Sequence, residues 1–419
     1  MKCFKEHMKL CMLTLMCILF LGVGIRAEAA PEKVTGFRQE DGNDTIAVVQ
    51  WDYISEEYEY RLEWCDRQDF VGASSIQCGN SACMITDLTP GSTYYVRVFA
   101  VDKDGKEGEP SPVIEVVTAP EAMEGIWQTG ASEKEISFSW ENIAGATGYR
   151  IIYQKVDGQG KKQDEEKYAF AKANENSLSL SNAAGSYEIA VYPIRECSTG
   201  YVAWGESETV TMSVLPGKVT SVKTETKVIY SASGKTFWGF SMNLSDGAEG
   251  CEYELFGSNG KRVLKKNVAA RDLQSVYDKN GKATSKKEVL ISAGKIKKGQ
   301  FMKVRIRGYI EIDGKKKAGK WSDYCYFAEG PQKVKSEAGT RQRKLSWSPV
   351  KGANSYTIYT AKSPNSKWKK VGTTLKTRYT VKYASAASKG KVYCKVVANK
   401  KVEGKTFTGM PDGYISWSW

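Results

Sequence analysis

The side chains from which hydrolytic or transfer sites are built are scarce in this sequence. One histidine stands among 419 residues, His7, and it sits in an N-terminal stretch with the marks of a removable leader. Past that stretch, neither a Ser-His-Asp nor a Cys-His nucleophile can be assembled, and no histidine can ligate a metal. Two carboxylate clusters, Glu56-Glu57-Glu59 and Asp164-Glu165-Glu166, have the residue types of a glycosidase acid–base pair. Both lie in highly charged segments flanking strands and read as solvated. Asp102-Lys103-Asp104-Gly105 opens like a calcium loop, but its glycine comes fourth instead of sixth, which suits a hairpin turn better. No glycine-rich phosphate loop leads from a strand into a helix. The reading is of a non-enzymatic chain without a cofactor or resident metal.

Cysteines give the remaining reactive groups. Seven follow the leader, at 65, 78, 83, 197, 251, 325 and 394, and an odd number leaves at least one unpaired within a monomer. Cys78 and Cys83 bracket four small or polar residues and suit a short disulfide. Cys251 and Cys325 are the only cysteines of their unit and form a second candidate pair. Cys197 and Cys394 read as isolated core residues.

Residues 1–29 carry Lys2, Lys5 and Lys9, then an apolar run over 10–25 and Ala27-Glu28-Ala29. This is the pattern of a secretory signal, and it predicts a secreted or extracellular chain, with retention as an N-terminal anchor the alternative. No other stretch is apolar enough for an integral membrane span. The rest is repetitive. Pro-x-Lys-Val begins at Pro31, Pro216 and Pro331, and Thr118-Ala119-Pro120 marks a similar joint. The predicted units are 30–118, 119–214, 215–329 and 330–419. Trp140, Gly145, Ala146, Tyr149 and Ile151 recur at identical offsets as Trp347, Gly352, Ala353, Tyr356 and Ile358, and Trp51, Tyr60 and Leu62 keep part of the pattern. Alternation with period two surrounds these marks, so Trp51, Trp140 and Trp347 fall on inward strand faces, with Tyr149 and Tyr356 on the next strand and Tyr187 on a late strand of the second unit. Short strands separated by turn signals predict an all-β chain of tandem immunoglobulin-like sandwiches.

Leu88-Thr89-Pro90-Gly91 leading into Tyr94, Val96, Val98 and Ala100, and the segment from Trp347 to Ala361, resemble fibronectin type III domains of the kind found in secreted bacterial proteins. The resemblance implies that Tyr94 occupies a tyrosine corner, with its hydroxyl returning to nearby backbone. It is good in units one, two and four and thin in unit three, which a Lys-rich insertion around 261–298 enlarges. The fold itself selects no ligand.

Charge is segregated along the chain. Residues 30–118 hold 7 cationic and 17 anionic side chains, and residues 119–214 hold 8 and 14; residues 215–329 hold 23 and 12, and residues 330–419 hold 19 and 3. The halves are therefore net −16 and +27. The basic half is expected to attract a polyanion through distributed lysines, among them Lys315, Lys316, Lys317, Lys367, Lys369 and Lys370. The partners expected are cell-wall polymer, extracellular glycan or a surface protein. Nucleic acid is not expected, since no recognition motif accompanies the charge, and head-to-tail self-association is open. Trp368, set among lysines, and the terminal Trp417 and Trp419 are candidate exposed aromatics for a carbohydrate-binding alternative. A third reading makes the chain an accessory part of a glycan-degrading system.

Overall fold

The computed structural model describes residues 30–230, 234–382 and 390–418. Residues 1–29, where a leader is expected, and Trp419 lie outside the described residues. The strands fall into four pairs of antiparallel sheets. In each pair a smaller sheet of three or four strands faces a larger one of four or five, and the alternating apolar residues of both close a core between them.

The inward tryptophans show how sequence becomes packing. Trp51, Trp140 and Trp347 are all buried. Each meets the tyrosine of the next strand edge to face, with centroids 5.1 Å apart for Trp51 and Tyr60, 5.5 Å for Trp140 and Tyr149, and 5.4 Å for Trp347 and Tyr356. Such pairs favour this offset geometry because ring edges are positive and ring faces negative. The three tyrosine hydroxyls accept hydrogen bonds from the backbone N–H six residues upstream: Ile54 at 3.2 Å, Ile143 at 2.9 Å and Val350 at 2.9 Å. Each tyrosine thus fills core with its ring and fixes the loop between the two strands with its oxygen. Gly145 serves a turn in that loop at φ +75, where its missing side chain also admits the Gly91 carbonyl of the preceding unit; a Cβ there would lie 2.2 Å from that oxygen.

Tyr94 is half-buried against the first core, and its hydroxyl accepts from the Thr89 N–H at 2.9 Å, the return to backbone that the resemblance implies. Tyr187 is buried in the second core beside Ile189 and Val191. The third unit reaches the same architecture with other residues. Trp238, on the strand Lys235–Asn243, is fully buried and packs on Phe327 at 5.2 Å. The lysine-rich insertion becomes the strands Arg262–Ala269, Gln274–Tyr277 and Ala283–Ser292; the first and last take places that strands of the other units also fill, and Gln274–Tyr277 adds a fourth strand to the smaller sheet.

Two expectations are corrected. Cys251 and Cys325 are separate buried thiols. They sit on strands on opposite sides of Met302–Ile312, where Cys251 faces Gly308 and Cys325 faces Val304. Two strand spacings across and four residues along put them about 16 Å apart, far beyond disulfide reach. Cys78 and Cys83 do form a disulfide. Trp417 is not an exposed aromatic: it is 6% exposed and belongs to the fourth core. The strand Ile415–Ser418 pairs with Lys391–Val402 in the register Val392 to Trp417, which turns the indole inward.

The units meet through specific contacts. Arg195 donates to Thr93 Oγ1 at 2.8 Å and to the Gly145 carbonyl, and a small apolar cluster of Val117, Ala119, Cys197 and Ala203 seals the same joint. Phe301 and Ala328, which precede the joint expected at 329/330, are packed into the fourth core. Among the described residues no helix is long and apolar enough to cross a membrane.

Candidate functional site

With the inward faces given to packing, the outward faces of the four larger sheets carry clusters of charged and aromatic side chains. On each, side chains of two neighbouring central strands stand opposite one another, and the composition differs from unit to unit.

In the first unit the central strands are Glu59–Cys65 and Thr93–Val101. Glu63 faces Arg97 and accepts from it at 2.7 Å. Arg61 bonds Glu63 at 2.6 Å and also Glu107. The guanidinium of Arg61 lies over Phe99 at 4.3 Å, and that of Arg97 over Phe70 at 4.2 Å. The hydrogen bond to Glu107 holds Arg61 firmly charged. Burial alone would raise the Glu63 carboxyl, but its two arginine bonds leave it below the ordinary carboxylate range.

The third unit repeats the scheme between Gly250–Phe256 and Met302–Ile312. Glu254 faces Arg305 and bonds it at 2.5 Å while taking a second bond from Arg262 at 2.6 Å. Glu252 is bonded by Arg307 at 2.9 Å and Lys265 at 2.7 Å. Trp321 covers both arginines, 4.4 Å from Arg305 and 4.3 Å from Arg307. Every strong charge named on these two faces has its counter-charge within the fold.

The second unit has no such ion pairs between its central strands Gly148–Val156 and Ser186–Glu196. Instead Arg150 lies beneath a group of rings: Trp204 at 4.6 Å, Tyr168 at 4.7 Å and Phe170 at 5.7 Å. These rings are open to solvent, with Phe170 68% exposed, Tyr168 48% and Trp204 40%. The buried Arg150 Nε has no hydrogen-bond partner among the described residues. This aromatic face was not anticipated as a binding surface. Its parts are scattered over four strands, and only the pairing of Arg150 with both Phe170 and Tyr192 brings them together.

In the fourth unit the central strands are Ser355–Ala361 and Lys391–Val402. Tyr359 stands where Glu63 stands in the first unit, three residues past the core tyrosine, and it faces Lys395. Lys395 lies 4.3 Å from the Trp368 ring and 5.8 Å from Tyr359. Tyr414 joins the group, 5.3 Å from Tyr393 and 6.3 Å from Trp368. Burial without a carboxylate lowers the Lys395 ammonium from its ordinary value.

The expected lysines do not make one patch. Lys315, Lys316 and Lys317 are exposed on the edge strand Lys315–Ala318 of the third unit, where Lys316 meets Glu311 at 3.5 Å. Lys367, Lys369 and Lys370 are exposed in and before the strand Lys369–Thr374 of the fourth. Trp368 is only half-exposed: its indole N–H donates to the Pro364 carbonyl at 3.2 Å and one ring face is taken by Lys395. Lys395, the cation at the centre of this face, was not singled out from sequence. The described residues contain no group of three or more His, Cys, Asp or Glu placed to hold a metal.

Residues 29–117 match the fibronectin type III domain family. A curated relative is the mouse receptor-type tyrosine-protein phosphatase eta, 27% identical over 126 residues, a match that spans 30% of this chain and 10% of that protein. Among solved structures, a two-domain fibronectin type III segment from chicken tenascin aligns at 14% identity and TM-score 0.26, over 43% of this chain and 99% of that one. The fibronectin type III domain of human fibronectin type III domain containing protein 3 aligns at 21% identity and TM-score 0.21, over 23% and 94%.

Proposed function

We propose that this chain is a non-enzymatic, extracellular modular protein, a row of four sandwiches jointed near 118/119, 214/215 and 329/330, that attaches through its basic half to an anionic surface polymer and makes adhesive or scaffolding contacts. The observation that carries the reading is the charge difference between halves, −16 against +27, set on folded units whose lysines point outward. Exposed charges of one sign raise the local concentration of an oppositely charged polymer, and they do so additively and in a salt-sensitive way. The acidic half would face away from the polymer or meet the basic half of a second copy.

The test is sedimentation of the full chain with isolated cell wall across a salt series. Binding should fall steeply between about 50 and 300 mM salt, because the Debye length shrinks through the spacing of surface charges. Replacing Lys315, Lys316, Lys317, Lys367, Lys369 and Lys370 together by Gln should weaken binding strongly, and any one of them only slightly. Binding that persists at high salt, or is indifferent to the sixfold change, sinks the proposal.

A second reading is supported by the second unit. Phe170, Tyr168 and Trp204 form an open aromatic face, and such rings stack on the apolar faces of sugars. Under this reading a neutral glycan would bind independently of salt and would be lost on Phe170→Ala or Trp204→Ala.

A further inference from the structure

We propose that the outward face of the fourth unit around Lys395, Trp368 and Tyr414 is a specific site for a carboxylated polysaccharide, with one ligand carboxylate seated on Lys395. The inference rests on the polyanion reading above and locates where that polymer is gripped. Its warrant is a comparison among units of the same chain. In units one and three the outward cation of the second central strand meets a carboxylate directly across on the first: Arg97 with Glu63, Arg305 with Glu254. In unit four the cation is kept as Lys395, but the residue across is Tyr359. Among the described residues no carboxylate lies within ion-pair distance of Lys395. Only three acidic residues occur in 330–419, Glu337, Glu403 and Asp412. Asp412 lies nearby but is 3.6 Å from Lys298.

A half-buried ammonium walled by rings and lacking a counter-ion is poorly solvated, and burial already lowers its affinity for the proton. An arriving carboxylate would restore the pairing that the other units hold internally. Such a bond, formed beside aromatic rings and partly out of water, is stronger than one on an open surface. The surroundings fit a sugar as the carrier. Tyr414, 53% exposed, and Tyr393 border the lysine with ring surface on which a pyranose can lie. Lys391, two residues before Tyr393 on the same strand face, offers a second cation about 13 Å along the strand from Lys395. A repeating carboxylated chain can reach both. A flat lipid surface would engage outlying lysines and leave the recessed one unused.

The experiment measures affinity of the full chain for polygalacturonate, with dextran, polyphosphate and phosphatidylglycerol vesicles alongside. Lys395→Gln should weaken polygalacturonate binding by about tenfold, as expected when one partner of a close charge pair is removed. Tyr414→Ala should weaken it about threefold, and Lys395→Arg should retain it. Lys344→Gln, which removes an exposed charge from the smaller sheet of the same unit, should change little. A melting curve of Lys395→Gln like that of the parent excludes misfolding as the cause, and Tyr414→Ala, at an exposed position, reports independently. If Lys395→Gln and Lys344→Gln behave alike while the parent binds, the site is refuted and diffuse polyanion attachment stands. If the parent prefers vesicles or polyphosphate to polygalacturonate, the carboxylate assignment is refuted. If it binds no anionic probe, the polyanion reading falls and takes the site with it.

Discussion

Replacing Trp140 by Ala isolates the packing contribution of one residue. The side chain is fully buried in the second core, touching Phe138 at 5.9 Å and Tyr149 at 5.5 Å between centroids. Its indole N–H meets no acceptor among the described residues, so no hydrogen bond to them is lost with it. What goes is apolar burial, and the indole leaves a hole that surrounding side chains only partly fill. A buried aromatic of this size hides about 150–250 Å², which at ~25 cal/mol per Å² is about 4–6 kcal/mol. Subtracting what the alanine still buries brings this to about 3–5 kcal/mol, the usual cost for Trp→Ala in a core. Because the N–H is unused, Trp140→Phe should recover well over half of that. Hydrogen exchange on the full chain reads the effect locally. Protection of the strands Glu135–Trp140 and Gly148–Val156 should fall by the stated amount while the strands of the fourth unit stay protected. Trp204→Ala, at a stacked but 40% exposed ring, supplies the contrast and should cost under about 1 kcal/mol in the same measurement. A Trp140→Ala loss below about 1 kcal/mol, or one shared evenly by all four units, would refute the view of this tryptophan as the plug of an independent core.

The third unit should lose stability in acid, as should the first, where Glu63 is held in the same way. Burial by itself raises Glu254, but its bonds to Arg305 and Arg262 bring the carboxyl below its ordinary value. A depressed folded-state pKa gives stability that is full above the unfolded value near 4 and is lost as pH falls through the folded one. Local exchange around Gly250–Phe256 should therefore accelerate below about pH 4, and Arg305→Met should weaken this unit at neutral pH by leaving Glu254, 4% exposed, with one of its three side-chain hydrogen bonds; unchanged protection in both cases counts against the buried pair. The thiols give a chemical readout. Burial pushes Cys251 and Cys394 up to about 12 and Cys325 to about 11, so native protein at pH 8 should resist iodoacetamide at all three and label only in denaturant. Rapid native labelling of Cys251 or Cys325 would contradict the packing of the third core.

The difference between what was legible in the sequence and what was not follows the two faces of a strand. The inward face is read by period two alone. Trp140 and Trp347, Tyr149 and Tyr356 repeat at fixed offsets because one geometric problem, filling a sandwich and holding the loop above it, has one solution used several times. Where the third unit solves it with Trp238 and Phe327 instead, the repeat is lost from the sequence although the architecture is kept. The Cys251 and Cys325 pairing failed for a related reason. Membership of one unit says nothing of register, and four residues of offset across an intervening strand decide against a bond.

The outward face is different in kind. Its content is set by which residues on separate strands come abreast, and the strands that bring Phe170 beside Arg150 or Trp368 beside Lys395 are joined by turns whose lengths do not announce the pairing. A lysine count therefore found the charged half of the chain but missed the cation that matters most within it. Lys367, Lys369 and Lys370 stood out as a run, yet exposed lysines in a run are solvated and interchangeable. Lys395 is inconspicuous in sequence, between Cys394 and Val396. It becomes distinctive only when Tyr359 is seen in the place that Glu63 and Glu254 occupy against Arg97 and Arg305. The same sandwich thus carries a closed ion-pair face in two units, an open aromatic face in one and an unneutralised cation in the last. Cores of one architecture leave the outward faces free to diverge, and that divergence is where one fold repeated along a chain can acquire more than one contact.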